Sequence, residues 1–314
     1  MWPIIEQLSP YAVAYTVPLL IAALGGLYSE RSGVVNIGLE GMMLIGSFAG
    51  AITIAAFQPQ LPGGALWLGL LAAAAAGTLL ALLHAFASVS LGANQVISGM
   101  AVNMIAASLT VFLARNVTGS GNIGVEGFVR FDVPGLADLP GVGRLLFANT
   151  YATTWLVLAI AVLAYLGLYK TVFGLRLRAC GEQPHAADAA GISVVRIRYL
   201  AVMLSGAFAG LGGAIILTTY AGEFNGSVAG MGFLALAALI FGQWKPLGVL
   251  GASLFFGFTS TMANVSQVTP AFQSIPGVLL KTFPYIMTVF VLVAFSKRSR
   301  APQAAGEPFE RGRR

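Results

Sequence analysis

Apolar residues run through this chain in long blocks, with polar residues confined to short breaks between them. About nine blocks approach the roughly 20 residues that a helix needs to cross a hydrocarbon core about 30 Å thick. They are Pro10–Tyr28, Gly38–Phe57, Ala65–Val89, Val96–Ala114, Tyr151–Tyr169, Tyr199–Tyr220, Gly230–Gln243, Leu247–Val265 and Phe283–Phe295. Gly230–Gln243 is short for a full crossing. No block alternates with the period of two that a membrane barrel requires. Backbone groups in lipid must be satisfied internally, so the blocks are helices or protein-covered loops. The pattern predicts an all-α, polytopic membrane protein with about nine transmembrane or re-entrant helices over residues 1–295. The polar tail, 296–314, reads as disordered.

Composition strengthens this picture. Hydrophobic residues make up 57% of the chain and charged residues only 9%, against about 25% charged in soluble domains. The 39 glycines suit close helix packing in a membrane. Gly46-Ser47-Phe48-Ala49-Gly50 and Gly206-Ala207-Phe208-Ala209-Gly210 are near copies, read as two independent packing motifs.

Charge sets the orientation. The net charge of +6 comes from clusters beside the apolar blocks, which is topological bias and not a nucleic-acid footprint. Lys170, Arg176, Arg178, Arg196 and Arg198 lie in one loop. Lys297, Arg298, Arg300, Arg311, Arg313 and Arg314 lie in the tail. Four crossings separate loop from tail, so both belong on one side, the cytoplasm by the positive-inside rule. The Gly- and Pro-rich loop Arg115–Asn149 is then external, and an odd number of crossings puts the N-terminus outside. Cys180, the one cysteine, reads as a reduced thiol in the basic loop. Residues 1–10 lack the basic start of a cleavable signal.

Enzymatic chemistry finds no residues to carry it. His84 and His185 are not spaced as metal ligands, and no phosphate-cradling loop is present, so no cofactor or metal is expected. His84 reads as a packed, hydrogen-bonded residue.

Three stretches carry information. Glu30 to Met43 places charges, Asn36 and glycines between two apolar blocks. It is either a cytoplasmic turn, with Glu40 at the positive start of the second span, or broken backbone lining a translocation cavity. Gly174 to Ile192 holds a predicted short helix over Gln183–Gly191. Pro184 suits a first helical position, Ala186, Ala187 and Ala190 are small helix formers, and Gly191 suits a left-handed stop. That helix could be a connector or could enter a groove on another protein. Gly230 to Gly248 ends in Trp244 and Lys245, which fit a membrane-interface anchor.

Together these stretches resemble the permease subunits of bacterial importers driven by ATP-binding-cassette (ABC) proteins, in the branched-chain amino acid and simple sugar group. Within it they look most like nucleoside permeases. The resemblance runs over about residues 10–295. It implies a transport subunit with no enzymatic activity of its own, in the plasma membrane, with a cytoplasmic C-terminus. It also implies a separate ATPase subunit, a second permease chain (a paralogue) and an external substrate-binding lipoprotein. Gln183, Pro184, Ala186, Ala187, Ala190 and Gly191 would then form the helix that couples ATPase motion to the membrane. A cavity with amides and few charges suits a neutral, hydroxyl-rich solute, with Asn36, Glu40, Asn94, Asn103 and Asn225 as candidate lining groups. A pentose or a branched-chain amino acid is the alternative cargo. An ion-coupled carrier would need buried ionisable groups, for which only Glu40 and His84 are candidates.

Overall fold

The structure, a computed structural model, describes residues 2–265 and 301–310, together with residues 282, 286, 289 and 290. The apolar blocks form helices close to their predicted bounds: α1 (Trp2–Arg31), α2 (Leu39–Phe57), α3 (Pro62–Ala85), α4 (Gln95–Thr118), α6 (Ala152–Lys170), α9 (Val194–Ile216) and α11 (Pro246–Val265). Among the described residues, seven helices are long and apolar enough to cross a membrane. A further helix, α10 (Met231–Phe241), has only 11 residues. The ninth predicted block, Phe283–Phe295, falls largely outside the described residues.

One end of the bundle carries the long loop between α4 and α6. This loop contains β1 (Ile123–Gly124) and the short helix α5 (Val142–Leu146). β1 pairs antiparallel with β2 (Glu223–Phe224), placing Ile123 opposite Phe224. The start of α1 is at this end, where Glu6 lies 4.0 Å from Arg144. The opposite end carries α7 (Val172–Glu182) and α8 (Pro184–Ala189). α7 was not expected from the sequence. Its apolar content is low, and its helicity starts at Thr171, whose hydroxyl accepts the Gly174 amide at 3.1 Å.

α1 is the most enclosed span and packs against α9, α10 and α11. α2 and α9 meet backbone to backbone. A Cβ added at Gly46 would sit 2.4 Å from the Gly210 Cα, and one at Gly206 would sit 2.4 Å from the Gly77 carbonyl oxygen of α3. The two near-copy motifs therefore pack on one another, and α3 closes over the second. Without water in the bilayer, such contacts hold helices together by dispersion, which falls off steeply with separation.

The tail departs from the expected disorder. Residues 301–310 lie as a strap across the α7–α8 end. The Ala304 amide donates to the Gly181 carbonyl at 2.9 Å, and the Gly306 amide donates to the Gly33 carbonyl at 3.1 Å. Arg198, 1% exposed, donates through Nε to the Ser32 carbonyl (3.2 Å) and through Nη1 to the Glu307 carbonyl (2.9 Å). A buried guanidinium needs such acceptors to offset its lost hydration. The tail's low apolar content argued for disorder, but the strap is held by its backbone, which composition does not report. The basic loop and residues 301–310 of the tail lie at one end of the bundle.

Two consequences can be measured. Gly46→Val should destabilise the bundle by about 1–3 kcal/mol through overpacking, whereas Gly251→Ala, with no atom within 4 Å of the new methyl, should be neutral or mildly stabilising. The monodisperse fraction of detergent-solubilised protein after graded heating reads both. Cys180 is buried, and burial pushes its thiol up to about 11 against the opposing charge of Arg198. Near pH 7.5 its thiolate is then roughly two orders of magnitude scarcer than for an ordinary thiol. Alkylation should be slow at neutral pH and climb past pH 9. Deleting residues 301–314 should accelerate it by uncovering Gly181, the neighbour of Cys180.

Candidate functional site

The polar stretch after α1 is wired residue by residue. The helix stops at Gly33, whose φ of +94° an L-residue with a side chain rarely adopts. The chain then runs extended past the start of α4. The Val35 amide donates to Gln95 Oε1 at 2.6 Å. Asn36 accepts the Gly38 amide at 3.1 Å and donates to Ser205 Oγ at 2.9 Å. Asn103 accepts the Gly41 amide at 2.7 Å and donates to the Ile37 carbonyl at 3.0 Å. His84 Nε2 donates to the Val35 carbonyl (3.1 Å), while Nδ1 lies 3.0 Å from Ser98 Oγ. Irregular backbone is tolerated in a membrane protein only where groups such as these satisfy it.

Glu40 stands at the centre of this arrangement, but it does not serve its own helix. Oε1 accepts the Gly230 amide at 2.9 Å, and Oε2 accepts the Gly232 amide at 2.6 Å. The carboxylate therefore caps α10, whose free N–H groups and positive dipole end favour an anion. The starts of α2 and α10 converge on one charge. Gly232 makes this possible, because a Cβ there would lie 2.4 Å from the Glu40 nitrogen. α10 rises only about 16 Å along its 11 residues, about half the thickness of a hydrocarbon core.

The far end of α10 is tied down as well. Gln243 and Trp244 turn the chain at φ near +50°. Trp244 is 5% exposed, and its Nε1 donates to Glu30. This corrects the interface-anchor expectation: the indole closes a buried polar contact, while Lys245 alone faces outward. Arg31 Nε donates to the Trp244 carbonyl at 2.9 Å, and its Nη1 lies 3.5 Å from Glu182 Oε1. Glu30 was legible only as part of a polar break. Its partner lies more than 200 positions away, beyond any local sequence signal.

α8 has its predicted form. Pro184 is its first residue, Gln183 precedes it, and Gly191 takes φ +80° just beyond it. Pro184 and Ala187 (4% exposed) turn inward, whereas Gln183, Ala186, Ala190 and Gly191 are exposed. Ala187 therefore packs within its own chain. Gln183 Nε2 donates to Gln303 Oε1 at 3.0 Å, and His185 lies beside Phe309 with ring centroids 5.3 Å apart, so the strap borders the exposed face of α8.

The candidate lining residues thus separate. Asn36, Glu40 and Asn103 come together as backbone partners at the two breaks. Asn94 sits apart, capping α4 by accepting the Val96 and Ile97 amides at 3.0 and 3.2 Å. Asn225 alone among them lines a cavity of about 430 Å³, together with Tyr15, Tyr220 and Asn264. Those three residues sit in or beside apolar runs and were not among the sequence candidates.

Comparison with known proteins is consistent with this architecture. NupQ, a guanosine ABC transporter permease of Bacillus subtilis, is 45% identical over 99% of this chain and 98% of its own length. NupC, a nucleoside ABC transporter permease of Lactococcus lactis, is 40% identical over 93% of each chain. TsgB13, a glucose ABC transporter permease of Haloferax volcanii, is 31% identical over 90% of this chain and 76% of its own. Residues 11–292 match the family model described as the permease component of branched-chain amino acid transport systems. With its broken α10 clamped by Glu40 inside a bundle of apolar spans, the chain belongs to this family of ABC transporter permeases.

Proposed function

We propose that this chain is the membrane-spanning subunit of an ATP-driven importer of nucleosides. The observation that carries the cargo is the near full-length likeness to two nucleoside permeases at 45% and 40% identity, above the 36% and 31% to a putative glucose permease and a glucose permease of Haloferax volcanii. The cavity's amides and phenols suit a neutral heterocycle bearing hydroxyls. A glucose-type sugar is the second reading, favoured by the glucose relative.

The importer reading calls for further chains: an ABC ATPase, a second permease (a paralogue) and an external substrate-binding lipoprotein. We place the α7–α8 end in the cytoplasm of a bacterial plasma membrane, because Lys170, Arg176, Arg178 and Arg196 cluster there. The ATPase meets the exposed face of α8, formed by Gln183, Ala186, Ala190 and Gly191. Pro184 and Ala187 hold that face in position from beneath. The strap at 301–310 supports the same surface.

Ala186→Arg tests the contact without disturbing the inward face. A long cation where a groove has room for a methyl costs several kcal/mol if enclosed, enough for at least a tenfold loss of uptake. The variant should insert normally, lose radiolabelled nucleoside uptake and fail to co-purify with the ATPase. Wild-type uptake and co-purification by Ala186→Arg would remove α8 from the interface. Uptake of glucose but not of nucleosides by the unaltered importer would favour the sugar reading.

A further inference from the structure

The cavity between α1, the end of α9, the loop into α10 and α11 has features that helix packing leaves unexplained. Tyr15 and Tyr220 form a tilted aromatic pair with centroids 4.5 Å apart. Tyr220 lies on a π turn, Leu217–Ala221, that interrupts the end of α9. Such turns recur at functional sites because they redirect a side chain at the expense of regular helix bonding. The Tyr220 hydroxyl is buried and has no hydrogen-bond partner among the described residues. A buried hydroxyl without a partner loses its hydration for nothing in return, so natural structures seldom retain one without a use.

The surrounding groups define a ligand. Asn225 is exposed and accepts the Ser227 amide at 3.2 Å through Oδ1, which leaves its NH₂ pointing away from that turn. Asn264 bonds to Tyr15 and donates to the Ser260 carbonyl at 3.0 Å. Among the described residues no Asp, Glu, Lys or Arg lines the cavity, which favours a neutral ligand. Its volume of about 430 Å³ falls within the usual range for small-molecule sites. Ala229, also in the lining, holds φ at +56°, a strained setting for a residue with a side chain. It immediately precedes Gly230, whose amide Glu40 accepts.

We infer that this cavity binds the base of a neutral nucleoside in transit. The heterocycle lies against the Tyr15–Tyr220 pair, and its polar edge meets the Tyr220 hydroxyl and the Asn225 and Asn264 amides. Aromatic rings offer a broad apolar face to a heterocycle, while the amides supply both donors and acceptors for its edge. The site deepens the nucleoside reading and rests on it. It also places the ligand on the loop that leads into α10, within one residue of the backbone that Glu40 clamps.

The test uses the assembled importer in intact cells. Ala221 is exposed and lines the cavity, so Ala221→Cys introduces a thiol there with little change in bulk. The native Cys180 is buried and contributes little background. Guanosine should slow modification of this cysteine by a membrane-impermeant methanethiosulfonate, whereas ribose and glucose should not. Adding Tyr220→Phe should raise the guanosine concentration for half-protection about tenfold, the loss of one ligand hydrogen bond. Thermal stability should be unchanged or higher, because that hydroxyl has no partner among the described residues. Equal protection by glucose would overturn base recognition. No protection by guanosine, in cells that import it, would overturn the site while leaving the transport reading intact. Absence of nucleoside import by the unaltered protein would overturn both.

Discussion

The architecture depends on one carboxylate. Inside an apolar bundle, a helix that begins midway leaves its first N–H groups without water to receive them. Glu40 supplies both acceptors, one oxygen to Gly230 and one to Gly232, and the dipoles of α2 and α10 converge on its charge. Burying a carboxylate is costly, and charge-assisted bonds to backbone amides are among the few interactions strong enough to offset it. The two breaks in the chain are thus a single feature. The first presents an acid, the second presents free amides, and each is stable in the interior because of the other.

Around this clamp the bundle is rigid where glycines bring backbones together and ordered by polar contacts where it is broken. Gly46, Gly210, Gly77 and Gly206 lock α2, α3 and α9 at distances that admit no side chain. The α7–α8 end is joined to both broken segments by a continuous set of bonds. Gly181 and Gly33 each accept an amide of the strap. Arg31 holds the end of α10 through the Trp244 carbonyl and reaches Glu182 at the end of α7. A displacement of α7 relative to the bundle must therefore strain the bonds that fix the lower end of α10. Its other end is bonded to Glu40 of α2 and follows the loop lining the Tyr15–Tyr220 cavity. The half-helix is thus held at both ends by polar bonds, in addition to its packing against α1 and α11.

Much of this was legible in the sequence. The span bounds follow from apolar length, and α8 follows from Pro184 and Gly191, because those signals are local. The near-copy glycine motifs announced a close crossing but not that they would meet each other. Glu40 was identifiable as an odd charge at an apolar boundary, yet its partner is 190 residues away and consists of backbone amides, which no side-chain pattern advertises. Trp244 was misread for the same reason: an indole beside a lysine looks interfacial until Glu30 is placed next to it. Tyr15, Tyr220 and Asn264 converge only through the tertiary fold. The strap was missed because backbone hydrogen bonding leaves no mark on composition.

Hydrogen–deuterium exchange over residues 230–233 tests the clamp most directly. In the unaltered protein, the Gly230 and Gly232 amides should exchange slowly, since both are bonded to Glu40 in the bundle interior. In Glu40→Gln, one acceptor oxygen is replaced by a donor and the charge is lost. Exchange across these residues should then rise by at least about tenfold, while the α2–α9 crossing stays protected. Unchanged protection at residues 230–233 in Glu40→Gln would contradict the account.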